Sequence, residues 1–172
     1  MTDKEQFLTL LKGINRPGIE AVAGYVKHSN FFQKNCSSHH FTGQGGVVKH
    51  SLEVRENMLA DNTEGFSEET ISLLALCHDI GKCGRARYQF RHRGAHDVRS
   101  LQVLDFCGVP LSPMERDGIL THSERHDRNA LWHLLKNGDC RSAGSWQESH
   151  PEEMAAKRAA RAASKHYHHH HE

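Results

Sequence analysis

The residues of this chain best suited to do chemistry are histidines and aspartates beside apolar runs: His50, the pair His78-Asp79, His96, His122 and Asp139. Neutral imidazole and carboxylate both ligate metal ions, and apolar packing behind them holds them rigidly. Helical spacing puts each on the apolar stripe of a helix or at an apolar helix end. A core imidazole needs hydrogen-bond partners, and a core carboxylate needs a compensating charge. One such histidine is ordinarily a satisfied core residue. Four on separate helices, with two aspartates, are better satisfied by a shared cation. A nitrogen-plus-carboxylate donor set suits manganese, iron, nickel, cobalt or zinc better than a pure magnesium site.

These ligands need helices to position them, and the pattern supplies little else. Residues 3–12 carry Phe7, Leu8, Leu10 and Leu11 at amphipathic spacing. After a break at Gly13–Gly18, a helix is predicted over 17–28, with Pro17 in its first turn. A polar loop follows from Gln33 to Gly46 and contains His39 and His40. The next helix, 47–60, has Val47, His50, Val54 and Met58 on one stripe. Ser67 is a good N-cap for a helix whose stripe is Ile71, Leu74, Ala75 and His78. Gly84 to Arg93 is basic and irregular, with Arg85 and Arg87 able to cradle phosphate. His96, Ser100 and Val103 share a helix over 96–107. Another helix, 112–125, aligns Glu115, Ile119, His122 and His126. Asn129 caps a last core helix with Leu131, Leu134 and Leu135, and Asp139 follows that apolar run.

The 172 residues suffice for one domain, taken as 1–150, with a basic, alanine-rich and histidine-rich tail over 151–172. No alternating strand pattern is present, so the fold class is all-α, a compact helical bundle. Formal net charge is +1, so bulk electrostatics does not select a nucleic-acid or membrane partner. No stretch approaches the ~20 apolar residues that span a bilayer, and the N-terminus lacks a signal-peptide core. The five cysteines include no Cys-x-x-Cys pair. They read as reduced thiols in a cytoplasmic protein rather than a disulfide frame or a thiolate zinc site.

The order of motifs resembles the HD-domain superfamily of metal-dependent phosphohydrolases, whose signature is H…HD…D. Gly45-Gly46-Val47-Val48-Lys49-His50-Ser51-Leu52-Glu53-Val54 resembles that family's first-histidine helix. Leu76-Cys77-His78-Asp79-Ile80-Gly81-Lys82 resembles its HD motif, and Gly138-Asp139-Cys140-Arg141-Ser142-Ala143 its closing-aspartate helix. The resemblance spans about residues 5–146. It points toward small stand-alone HD proteins and the HD modules of 3′–5′ exoribonucleases, which share a Phe-rich lead-in and a histidine before the Gly-Gly, here His40. It implies one ion held by His50, His78, Asp79 and Asp139. In two-metal members a second ion uses two further histidines, matched here by His96 and His122, with Asp79 bridging; His126 is a further candidate. Lys82 matches a lysine that neutralises phosphate oxygens. The Gly-Tyr-Pro signature of cyclic dinucleotide hydrolysis is absent, and so is the acidic pair that some nucleotidase members carry after the HD motif.

The resemblance implies a phosphohydrolase, a phosphomonoesterase or phosphodiesterase, acting on a phosphate ester. The substrate class is a nucleotide or short nucleic acid, attacked by water that one or two divalent transition-metal ions activate. Asp79 and Lys82 would be its catalytic residues, with His40, Lys82, Arg85 and Arg87 binding substrate. Two alternatives stand beside it: a non-catalytic nucleotide- or nucleic-acid-binding HD module, and a di-iron oxygenase.

Overall fold

The computed structural model describes residues 1–37, 39–83, 95–120 and 127–171. Within them the chain is all-helical, with eight α-helices and no strand. These are α1 (Asp3–Lys12), α2 (Ile19–His28), α3 (Gly46–Asp61), α4 (Glu68–Cys77), α5 (His96–Phe106), α6 (Pro113–Ile119), α7 (Ala130–Ser149) and α8 (Pro151–His171). Single 3₁₀ turns occupy Phe31–Gln33 and Ile80–Lys82.

Local chemistry starts most of these helices where the sequence predicts. The side chains of Thr2, Ser67 and Asn129 accept from the backbone N–H of Glu5, Thr70 and Trp132, opening α1, α4 and α7. Ser112 and Glu115 form a reciprocal capping box at α6, with Pro113 in the first turn. Pro17 is not the start of α2: Gly18, in the left-handed region, is its N-cap.

Every residue of α4 from Ile71 to Cys77 is buried. A helix apolar on all sides must be surrounded, and α1, α3 and α6 pack around it. Val47, Val54 and Met58 of α3 and Leu131 and Leu135 of α7 are all in the core. Phe7, Phe31 and Phe32 form an aromatic cluster with ring centroids 5.0–5.8 Å apart. The upper end of α4 is clamped by Arg16, whose Nε lies 2.6 Å from Glu69 and whose Nη1 donates to Glu115 at 2.8 Å. Burial alone would raise the Glu115 pKa, but the hydrogen bond from Arg16 outweighs it and holds the carboxyl below its usual range. The lower end of α4 opens on the His78-Asp79 pair.

Two sequence expectations are corrected. The helix predicted over 112–125 ends at Ile119. Leu120 turns out of the helix with ψ 74°, and its carbonyl accepts from Trp132 Nε1 at 3.1 Å. Gly118 in the last turn makes continuation costly. Asp139 does not follow a helix end; it lies inside α7, which runs unbroken to Ser149. No described helix is long and apolar enough to cross a membrane.

Candidate metal centre

His50, His78, Asp79 and Asp139 arrive from three directions at the lower end of α4. His50 is one turn into α3 and fully buried. His78 caps the C-terminus of α4, and Asp79 precedes the 3₁₀ turn at Ile80–Lys82. Asp139 comes from mid-α7. One ligand atom from each lies within 4.8 Å of all the others. His50 Nε2 is 2.5 Å from Asp139 Oδ1 and 3.9 Å from Asp79 Oδ2. His78 Nε2 is 3.2 Å from Asp79 Oδ2 and 3.8 Å from Asp139 Oδ1.

Two observations show that this donor set fits a cation. His78 Nε2 and Asp79 Oδ2 are buried, and neither has a hydrogen-bond partner among the described residues. Buried polar atoms are seldom left so. Ligands about 2.1 Å from one ion lie roughly 3–4 Å from one another, which is the scale of three of these four separations; His50 and Asp139 are in direct hydrogen-bond contact. The electrostatics agree. Burial lowers the pKa of His78, yet the Asp79 and Asp139 carboxylates overcome it and raise the imidazole to about 10. The local field thus strongly favours positive charge, as does the carbonyl end of α4. The four residues form a buried cluster able to hold a metal ion.

Surrounding groups orient the ligands. His78 Nδ1 lies 2.8 Å from the Ala75 carbonyl. A carbonyl only accepts, so Nδ1 carries a proton, and Nε2 is the nitrogen that faces the centre. His50 Nδ1 is 3.0 Å from Ser142 Oγ, buried on α7. The sequence reading missed Ser142 as a site residue; its position three after Asp139, on the same helix face, is the signal that would have found it. Ser100 is a second such support. Its hydroxyl accepts from Gly81 N at 2.9 Å and lies 2.7 Å from the His78 carbonyl and 2.9 Å from that of His96. A Cβ on Gly81 would collide with the His96 carbonyl and Ser100 N. That glycine therefore lets α5 settle against the 3₁₀ turn, bringing His96 Nε2 to 3.5 Å from Asp79 Oδ1. The two Asp79 oxygens thus face different partners: Oδ2 toward His78 and His50, Oδ1 toward His96.

Lys82 Nζ is 3.6 Å from Asp79 Oδ2 and donates to the Cys36 carbonyl at 3.0 Å. Burial lowers its pKa, but Asp79 and its neighbours raise it further, so it stays charged. Lys82 thereby ties the loop before α3 to the centre. Cys36 N returns to the Phe41 carbonyl at 2.9 Å, and Phe41 occupies the left-handed region at φ 48°. The reversal brings the His40 ring to 5.5 Å from that of His50, and the Phe41 ring to 5.3 Å. A Cβ on Gly46 would strike the Phe41 carbonyl, so this glycine lets the loop close over the start of α3. Cys36, His40 and His50 also fall within 4.8 Å of one another by their ligand atoms. Burial, then the Asp79 charge, pushes the Cys36 thiol up to about 12. Burial, then the charges of His50 and Lys82, lowers His40.

His122, His126, Arg85 and Arg87 lie outside the described residues. Compared with protein-family models, curated proteins and solved structures, the chain gives no match.

Proposed function

We propose that the chain is a metal-dependent phosphohydrolase of the HD-domain type, acting on a nucleotide or another phosphate ester. The supporting observation is the convergence of His50, His78, Asp79 and Asp139, with His78 Nε2 and Asp79 Oδ2 buried and without a hydrogen-bond partner among the described residues. The motif order H…HD…D in the sequence supports the same reading.

In this reading His50, His78, Asp79 and Asp139 hold one divalent ion. His96 belongs to a second, with Asp79 shared between them, consistent with its two oxygens facing separate histidines. The bound ion would lower the pKa of water from ~15.7 toward ~7 and polarise the phosphoryl group. The chain does the rest. The Ala75 carbonyl keeps the His78 proton on Nδ1, and Ser142 holds the His50 ring in place. Lys82 carries a permanent positive charge beside Asp79, suited to pairing with a non-bridging phosphate oxygen. His40 stays neutral near pH 7 and sits beside His50, where it can hydrogen-bond the ester.

The test combines elemental analysis with hydrolysis of p-nitrophenyl phosphate, bis-p-nitrophenyl phosphate and a nucleotide panel in manganese, nickel, cobalt or zinc. Asp79→Ala and His78→Ala are expected to lose metal and phosphate release together. Full activity in metal-free Asp79→Ala would refute the proposal. Iron-dependent oxygen consumption without phosphate release would mark an oxygenase instead. Tight nucleotide binding without turnover in every metal would mark a binding module.

A further inference from the structure

The last helix is built unlike the rest. From Arg158 to Lys165 every position of α8 is exposed. Its residues there are almost all alanine, lysine and arginine, with no large apolar side chain to bury. Lys157, Arg158, Arg161 and Lys165 fall within about 100° of the helix circumference at 3.6 residues per turn, and span about 12 Å of its axis. No acidic residue occurs between Glu153 and Glu172. None of the four cations has an ion-pair partner among the described residues.

This stripe works against the helix that carries it. Like charges three and four residues apart destabilise an isolated helix by a few tenths of a kcal/mol per pair, and a short alanine-rich helix is marginal without packing. A polyanion lying along the stripe reverses the sign of that interaction.

The root of α8 also has a defined place. Thr42 Oγ1 donates to Glu153 Oε2 at 2.7 Å, and Gln147 Nε2 donates to the His39 carbonyl at 3.3 Å. Trp146 stacks on His150 at 4.1 Å and packs toward Phe41. The helix therefore leaves the body from the loop that closes over the candidate metal centre.

We propose that the stripe formed by Lys157, Arg158, Arg161 and Lys165 is a binding surface for the phosphodiester backbone of a single-stranded nucleic acid. The chemistry selects this partner. A bilayer would require bulky apolar residues on the opposite face, and a protein partner would require aromatic or aliphatic anchors; this stretch has alanine instead. Regularly spaced cations without apolar neighbours suit a ligand recognised by its phosphates alone. The surface does not depend on the phosphohydrolase reading, because none of its residues touches the metal cluster.

The test is fluorescence anisotropy of a 5′-fluorescein-labelled oligothymidylate of about 20 nucleotides with the full chain. It is run in EDTA at pH 8 across 50–200 mM salt. Four backbone contacts should give a slope of log K against log[salt] of about −2.8. The combined variant Lys157→Gln, Arg158→Gln, Arg161→Gln, Lys165→Gln should bind at least about tenfold more weakly with a slope near zero. Its thermal midpoint should not change, since the positions make no core contacts. Oligonucleotide binding should also raise helical circular dichroism. Unchanged affinity in the combined variant would overturn the proposal. So would a preference for phosphatidylserine vesicles over the oligonucleotide.

Discussion

His50 and Asp139, 89 positions apart in the chain, meet with Nε2 2.5 Å from Oδ1. Their meeting depends on how closely α3 and α7 pack. Gly138, next to the aspartate, has Met58 and the Val54 carbonyl where its side chain would stand: a Cβ there would lie 3.2 Å from Met58 Cγ. On the α7 side, Asn57 Nδ2 donates to the Gly138 carbonyl at 3.1 Å. The candidate centre is therefore a property of the helix interface, and its dependence on surrounding groups leads to measurable consequences.

Ser142 holds the far nitrogen of His50. Replacing Ser142 by alanine removes that contact and suits the helix. Metal affinity, measured by competition with a chelator, is expected to fall about 10–100-fold with the fold intact. Unaltered affinity would show that Ser142 does not orient the ligand.

Gly81 is required by close approach, not by its φ angle. Gly81→Ala would press a methyl group into the backbone of α5. The expected cost is about 1–3 kcal/mol, read as a lower thermal midpoint. His96 should move away from Asp79 as α5 shifts. If two ions bind, Gly81→Ala should therefore retain one and lose the other, which metal analysis distinguishes from general unfolding.

The Arg16–Glu115 pair carries a pH dependence of known sign. The Glu115 carboxyl is held below its usual value in the fold, so its contribution is present above the unfolded pKa near 4.5. It is lost as pH falls through the depressed folded value. Urea midpoints should fall below about pH 4.5, and Glu115→Gln should lessen that fall. Arg16→Ala leaves the Glu115 charge buried and unpaired and is expected to cost roughly 3 kcal/mol at pH 7.

Thiol reactivity should separate the cysteines by burial. Cys36, Cys77 and Cys83 are buried, and Cys140 is exposed on α7. Burial also pushes the Cys77 thiol up to about 12. Ellman's reagent at pH 8 is expected to modify Cys140 first, and Cys140→Ser should abolish the fast phase. Rapid reaction of Cys36 in the native protein would contradict its buried place within the loop before α3.

Much of the architecture was legible because its causes are local. Ser67 and Asn129 announce helices through their capping chemistry, and those caps form. The apolar stripe of residues 47–58 places His50 inward, where it lies. The end of α6 was not legible. Its stripe continues through His122 and His126 in the sequence, whereas the helix stops at Ile119 and Trp132 takes the next carbonyl. That hydrogen bond comes from a different helix, so no local window contains it.

The sequence by itself determined the helical class, most helix starts, and which ligand types face inward, since these follow from periodicity and capping over a few residues. Only the tertiary structure decided that Asp139 reaches His50 from the middle of α7, that Ser142 and Ser100 brace the ligands, and that Asp79 turns its two oxygens toward different histidines. Those relationships depend on how closely two helix surfaces approach, and glycines at 81 and 138 set that distance against residues far away in the chain. Periodicity reports which face of a helix is buried; packing decides what that face meets.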